Sequence, residues 1–245
     1  MAASPASLAV LNACIVACVR CPRLRAYCAE VARVRRRAFA DCEYWGKPVP
    51  SFGDPEARVL VLGLAPGAHG SNRTGRMFTG DGSGDFLFPV LHEAGFASQP
   101  RAVSRDDGMK LTNLWISAVV HCAPPANKPT PEEQRNCAPW LDEEMRLLRK
   151  LRVVVCLGKI AFDGFLGHQF RAGRISARTG FTFRHGAEYV LPGGLILITS
   201  YHPSLQNTNT GKLTRPMFLA VFRRAQQLAD LKRPIRREAG VSTPA

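Results

Sequence analysis

The most suggestive pairing of chemically capable side chains in the chain is Phe78-Thr79-Gly80-Asp81. An aromatic face and a carboxylate three residues apart suit a planar ring bound beside a group that accepts a proton or steadies positive charge. The pair lies in a stretch, residues 63–84 (GLAPGAHGSNRTGRMFTGDGSG), that holds seven glycines. Glycine at that density marks backbone passing close to something, in conformations a side chain would forbid. A phosphate cradle is the first chemistry to test, and it fails: there is no GxxxxGK[ST] and no glycine fingerprint opening directly into a helix. His202, in the run HPSLQNTNTG, is a second candidate, an imidazole able to donate or accept near neutrality. Each has a plainer alternative: Asp81 as the carboxylate at a helix N-terminus, Phe78 as a core ring, His202 as a turn residue.

Eight cysteines, at 14, 18, 21, 28, 42, 122, 137 and 156, add a third chemistry. Cys18 and Cys21 form a CxxC pair; Cys122 and Cys137 form a wider one. With no secretory signal to argue for disulfides, metal or cluster ligation is the natural reading. Four thiolates suit zinc or an iron–sulfur cluster equally, and spacing does not separate the two.

These residues must be positioned by something. Short apolar runs at residues 58–64, 111–120, 153–157 and 195–199 read as buried strands. Helical patterns occupy residues 5–17, 24–39, 84–95, 130–150, 158–166 and 214–231, and Thr130-Pro131-Glu132-Glu133 has the composition of a capping box with proline in the first turn. Weaker strands are expected near Phe181–Phe183 and Glu188–Leu191. Strands alternating with helices predict a three-layer α/β/α sandwich around a mostly parallel four-stranded sheet. In such folds functional loops gather at the carboxyl ends of the strands. Those ends are residues 63–81, 121–127, the turn at Gly158 and residues 202–212, and three of the four carry the unusual residues above. One domain over residues 5–232, with a flexible tail at 233–245, accounts for the whole pattern.

Composition bounds the setting. Lysine and arginine number 33 against 19 acidic residues, a net +14. The excess is concentrated: residues 20–37 hold seven arginines and one glutamate, and residues 223–237 hold six basic residues and one aspartate. Such patches attract phosphate backbones, and a nucleic-acid partner is the favoured reading over merely solvated faces. No apolar run reaches bilayer length, so no membrane partner is expected, and the default compartment is the cytoplasm.

Taken together, GLAPGAHGSNRTGRMFTGD, CAPPANKPTPEE and HPSLQNTNTG resemble the family 5 (type b) uracil-DNA glycosylases, over roughly residues 16–231. The resemblance implies an α/β/α glycosylase fold, a [4Fe–4S] cluster on Cys18, Cys21, Cys122 and Cys137 (zinc being the alternative), and removal of uracil and other deaminated bases such as hypoxanthine and xanthine from DNA by a monomer. It implies catalytic roles for Asp81 and His202. Asn127 matches a family position near the attacking water, though it can as well cap its turn. Ala65, Pro66, Gly67 and Phe78 are the base-pocket positions. Ser204, Gln206, Asn207 and Asn209 match the segment that enters the minor groove, while Lys212 and Arg215 are placed to meet phosphates. No side-chain amide in the second strand is obviously set to read the base edge: Asn113 comes early and Ser117 late. A non-catalytic iron–sulfur or zinc nucleic-acid-binding protein is the competing reading, since basic patches, CxxC and glycine loops would serve it too.

Overall fold

The computed structural model describes residues 5–230, so the expected tail at 233–245 lies outside the described residues. The chain opens with α1 (Leu8–Val16) and α2 (Pro22–Val34) on either side of the CxxC turn. Helix α2 is shorter than expected: Arg35 takes a left-handed backbone (φ 57°) and ends it before the Arg35-Arg36-Arg37 run. Then follow β1 (Phe52–Gly53), β2 (Val59–Gly63), α3 (Ser71–Thr74), α4 (Gly82–Glu93) and β3 (Leu114–Ala118). The second half runs α5 (Pro131–Leu147), β4 (Val153–Leu157), α6 (Lys159–Arg171), β5 (Glu188–Val190), β6 (Ile196–Ser200), α7 (Leu205–Asn209) and α8 (Arg215–Asp230).

The four expected strands are present and parallel, in spatial order β3-β2-β4-β6. The sheet nevertheless has six strands, because β1 pairs antiparallel with β3 at one edge and β5 antiparallel with β6 at the other. The two-residue β1 carries too few positions for a hydrophobic alternation to show, whereas β5 is the weak strand expected near Glu188–Leu191. Phe181 and Phe183 form no strand; their rings pack on Tyr189 and Phe162 instead.

Alternate strand residues feed two cores. Val59, Val61, Ile116, Val153, Val155 and Ile198 face α4 and α8. Leu60, Leu62, Trp115, Val154, Cys156 and Leu197 face α1, α2, α5 and α6. With both faces covered, β2 and β4 are wholly apolar and fully buried, as parallel strands require. The Thr130 capping box forms: the Thr130 hydroxyl accepts from Glu133 N–H at 3.2 Å, and Thr130 N–H donates to the Glu133 carboxylate at 2.8 Å. The same carboxylate takes both arms of Arg23 at 2.7 Å, tying α2 to α5 beside Cys21 and Cys137. Among the described residues no helix is long and apolar enough to cross a membrane.

Candidate active site

The chain leaves β2 toward β3 on one side and returns to β4 on the other, so the loops after β2 and β4 diverge over a crevice, the usual ligand position in open α/β sheets. A cavity of about 720 Å³ opens there. Ala65, Gly67, Phe78 and Asp81 line it from the β2 loop, Asn127 from the β3 loop and His202 from the β6 loop. Ser204, Gln206, Asn207 and Lys212 complete the β6 side. Pro66, Asn209 and Arg215 are not among the lining residues; Arg215 instead pairs with Glu93 at 2.8 Å.

Asp81 takes the plainer role weighed for it and also lines the cavity. It is the N-cap of α4: one carboxylate oxygen, Oδ1, accepts from Ser83 N–H at 3.0 Å and Gly84 N–H at 3.2 Å. Its other oxygen lies against Gly67 and Gly70, where a Cβ would come within 2.9 Å and 2.0 Å of it. The glycines therefore make room for a carboxylate. Burial raises the Asp81 pKa, the two backbone hydrogen bonds and Arg73 opposing only in part.

Phe78 is held in a left-handed conformation, φ 52°. Its ring sits on the end of β2, where a Cβ on Gly63 would stand 2.8 Å from it, and its carbonyl would lie 1.8 Å from a Cβ on Gly84. Arg76, two residues earlier, is 2% exposed and grips Asp107 with both guanidinium nitrogens at 2.7 Å, while its Nε donates to the Thr79 hydroxyl at 2.9 Å. Burial alone would raise the Asp107 pKa, but Arg76 and the amides of Val103, Met109 and Ser104 hold it far below the carboxylate range. Arg73 braces the same loop by donating to the carbonyls of His69 and Gly80, both at 2.8 Å. A buried ion pair and a second arginine thus fix the loop between the ring and the acid.

The His202 ring lies 6.2 Å from the Phe78 ring, centroid to centroid, at 34°. Burial pushes its pKa down to about 4, so the imidazole is neutral at ordinary pH. Gly158 backs it, a Cβ there falling 3.1 Å from the His202 Cβ, and Asn207 donates to the His202 carbonyl at 2.8 Å. Asn127 lies on an exposed turn with Ala126, both at positive φ. Of β3 only Ala118 reaches the wall: Asn113 accepts from Arg58 N–H, and Ser117 donates to Glu144 at 2.6 Å. Several wall residues are not among those singled out from the sequence. Phe183 and Tyr201 supply further rings, and Leu205, 58% exposed, packs over Gly82.

The cysteine set forms a second, smaller cavity on the α1/α2/α5 side. Cys18, Cys21, Cys122 and Cys137 all line it, while Cys28 contacts Cys122 from behind. Among the described residues no three His, Cys, Asp or Glu side chains stand as a site for one metal ion. The chemistry of the cavity wall nonetheless fits a larger anionic group. Burial raises the Cys21 thiol and pushes Cys137 up to about 12, so ionised thiolates there need compensating charge. Buried polar side-chain atoms without a partner are Arg25 Nη1, Asn72 Oδ1, His121 Nε2 and Trp140 Nε1 among the described residues, and three of those four side chains line this cavity.

A parallel sheet that gathers an acid, a neutral imidazole and an aromatic ring around one cavity at its carboxyl edge defines an α/β protein built to hold a flat ligand. The family model of the uracil DNA glycosylase superfamily matches residues 50–226. A type-5 uracil-DNA glycosylase of Thermus thermophilus is 55% identical over 217 residues, covering 89% of this chain and 96% of the relative. The namesake proteins of Mycobacterium bovis and Pyrobaculum aerophilum are each 47% identical, covering 95% and 86% of this chain and 85% and 88% of their own lengths. The chain belongs to the uracil-DNA glycosylase superfamily and, within it, to the type-5 uracil-DNA glycosylases.

Proposed function

We propose that the protein is a monofunctional DNA glycosylase of base-excision repair that hydrolyses the N-glycosidic bond of uracil in DNA. The observation that carries this is the meeting of Asp81, His202 and Phe78 around one cavity. A base flipped from its duplex stacks on the Phe78 ring, a contact worth about 1–3 kcal/mol. As the bond from the sugar C1′ to the base nitrogen breaks, positive charge builds on the sugar and negative charge on the base, largely at O2. A neutral His202 donates a hydrogen bond to that oxygen without giving up its proton. Asp81 stabilises the cationic sugar and accepts a proton from the attacking water, whose oxygen bonds to C1′, with Asn127 beside it. Burial makes this carboxylate a stronger base than an exposed one. No covalent enzyme–sugar bond forms, so the product is an abasic site on an intact strand.

With only Ala118 contributed by β3, the cavity discriminates bases by shape and by the Ala65–Gly67 backbone, which supports acceptance of hypoxanthine and xanthine as well as uracil. Ser204, Gln206, Asn207 and Asn209 fill the gap left in the duplex, with Leu205 as an apolar wedge. Lys212 meets a phosphate directly; Arg215 does so on leaving Glu93. Cys18, Cys21, Cys122 and Cys137 would hold a [4Fe–4S] cluster in preference to zinc. It would tie the basic N-terminal helices to the β3 loop and take no part in hydrolysis. A monomer acting in the cytoplasm completes the reading. The test is incubation of the purified protein with uracil-, hypoxanthine- and xanthine-containing duplexes followed by alkali. Cleavage at all three is expected; no cleavage at uracil refutes the activity, and cleavage at uracil alone refutes the wider range.

A further inference from the structure

The cysteine cavity carries more hydrogen-bond donors than its own residues satisfy. Two N–H groups are already directed at ligand sulfurs: His121 N–H to Cys137 Sγ at 3.4 Å and Asn136 Nδ2 to Cys21 Sγ at 3.8 Å. Two more lie buried with no acceptor, Arg25 Nη1 and Trp140 Nε1, on side chains that line the same cavity. The Trp140 ring is clamped by the Arg20 guanidinium, 4.3 Å above it, and Arg20 itself donates to the Asn136 carbonyl at 3.2 Å. The Arg25 charge bears directly on Cys122 and Cys28. A buried N–H without a partner is costly, and two at one cavity point to an acceptor that belongs there. His121 Nδ1 donates to the Val49 carbonyl at 2.8 Å, so among the unpartnered atoms at this cavity the fixed donors are Arg25 Nη1 and Trp140 Nε1.

Building on the proposed cluster, we infer that Arg25 and Trp140 are positioning residues that donate N–H···S hydrogen bonds to it and thereby raise its reduction potential. Hydrogen bonds to cluster sulfurs and nearby positive charge favour the more negative, reduced state. Neither residue contacts the base cavity, so neither is needed for hydrolysis itself.

The experiment uses the full-length holoprotein, with iron and acid-labile sulfide counted in wild type, Trp140→Phe and Arg25→Met before electrochemistry. Trp140→Phe removes one N–H and keeps an aromatic ring; Arg25→Met removes donors and a charge. At wild-type cluster loading, both variants are expected to show a negative shift of the midpoint potential, Arg25→Met the larger, with uracil excision unchanged. Resonance Raman iron–sulfur bands should lose part of their shift on transfer from H₂O to D₂O in Trp140→Phe. Unchanged potential and unchanged deuterium sensitivity in a fully loaded Trp140→Phe overturn the inference while leaving the cluster in place. Wild type containing zinc, or no iron and sulfide, overturns the cluster reading and the inference with it. Should Arg25→Met fail to fold, Trp140→Phe decides the matter alone.

Discussion

Gly70→Ala is the perturbation that most sharply probes how Asp81 is seated. A Cβ at position 70 would stand 2.0 Å from Asp81 Oδ2, 2.6 Å from Cγ and 2.9 Å from Cβ. Real Cβ contacts essentially never fall below 3.0 Å, so the carboxylate has to move by about 1 Å. It cannot turn freely, because Oδ1 is fixed by Ser83 N–H and Gly84 N–H. A misplacement of about 1 Å at a reacting group costs on the order of 10²-fold in rate, or about 2.7 kcal/mol of barrier. Gly67→Ala meets the same oxygen at 2.9 Å and needs only tenths of an ångström, so its loss stays below about tenfold. Single-turnover excision from a uracil duplex with enzyme in excess reads the chemical step, and fluorescence anisotropy on the same duplex reads binding. The expected order is wild type, Gly67→Ala, Gly70→Ala, with affinity little changed throughout. Gly70→Ala at the wild-type rate, or Gly67→Ala as the slower of the two, would refute the claim that these glycines exist to seat the acid.

The remaining predictions concern the loop, the acid and the phosphate contacts. Arg76→Met removes the counter-ion of the buried Asp107 carboxylate, leaving it only the amides of Val103, Ser104 and Met109, and should destabilise the fold by about 3–5 kcal/mol in denaturant melts; a loss under about 1 kcal/mol contradicts the bracing role. The excision rate should fall at acid pH through the raised Asp81 pKa, because only the ionised carboxylate accepts water's proton. That limb should lie above the usual value of about 4 for an aspartate, and a limb at or below it is the contrary result. His202→Ala removes the donor to the leaving base and should slow excision about 10²–10³-fold, with binding retained. Lys212→Ala should reduce the slope of log affinity against log salt by about 0.9 if that ammonium meets one phosphate; an unchanged slope places it elsewhere.

The legible part of this protein is the part where residue type and backbone are both constrained. The glycines from 63 to 84 carry a physical reason each time one is inspected: Gly63 and Gly84 make way for Phe78, Gly67 and Gly70 for Asp81. The four parallel strands were legible because burial on both faces leaves them short apolar runs, broken only by Ser117 in β3 and by Thr199 and Ser200 in β6. The edge strand β1 was not, having two half-buried residues, while β5 was legible only as the weak strand near Glu188–Leu191. Choosing between a capping and a catalytic Asp81 was never forced, since its two oxygens face different partners. What sequence could not show is long-range pairing. Asp107 lies in an irregular loop with no pattern to link it to Arg76, and Glu93 takes up the Arg215 charge across 122 positions. Nor does spacing reveal that Arg25, His121 and Trp140 share a cavity with the four cysteines, because each reads as an ordinary helix or loop residue.

The central claim is that Asp81 drives base release while the surrounding loops bind DNA. Its most direct test is Asp81→Asn, which keeps the size and the helix cap but removes the basic oxygen, assayed side by side for single-turnover uracil excision and for duplex binding. Excision nearly abolished with affinity preserved is the predicted result; excision at the wild-type rate would contradict the account.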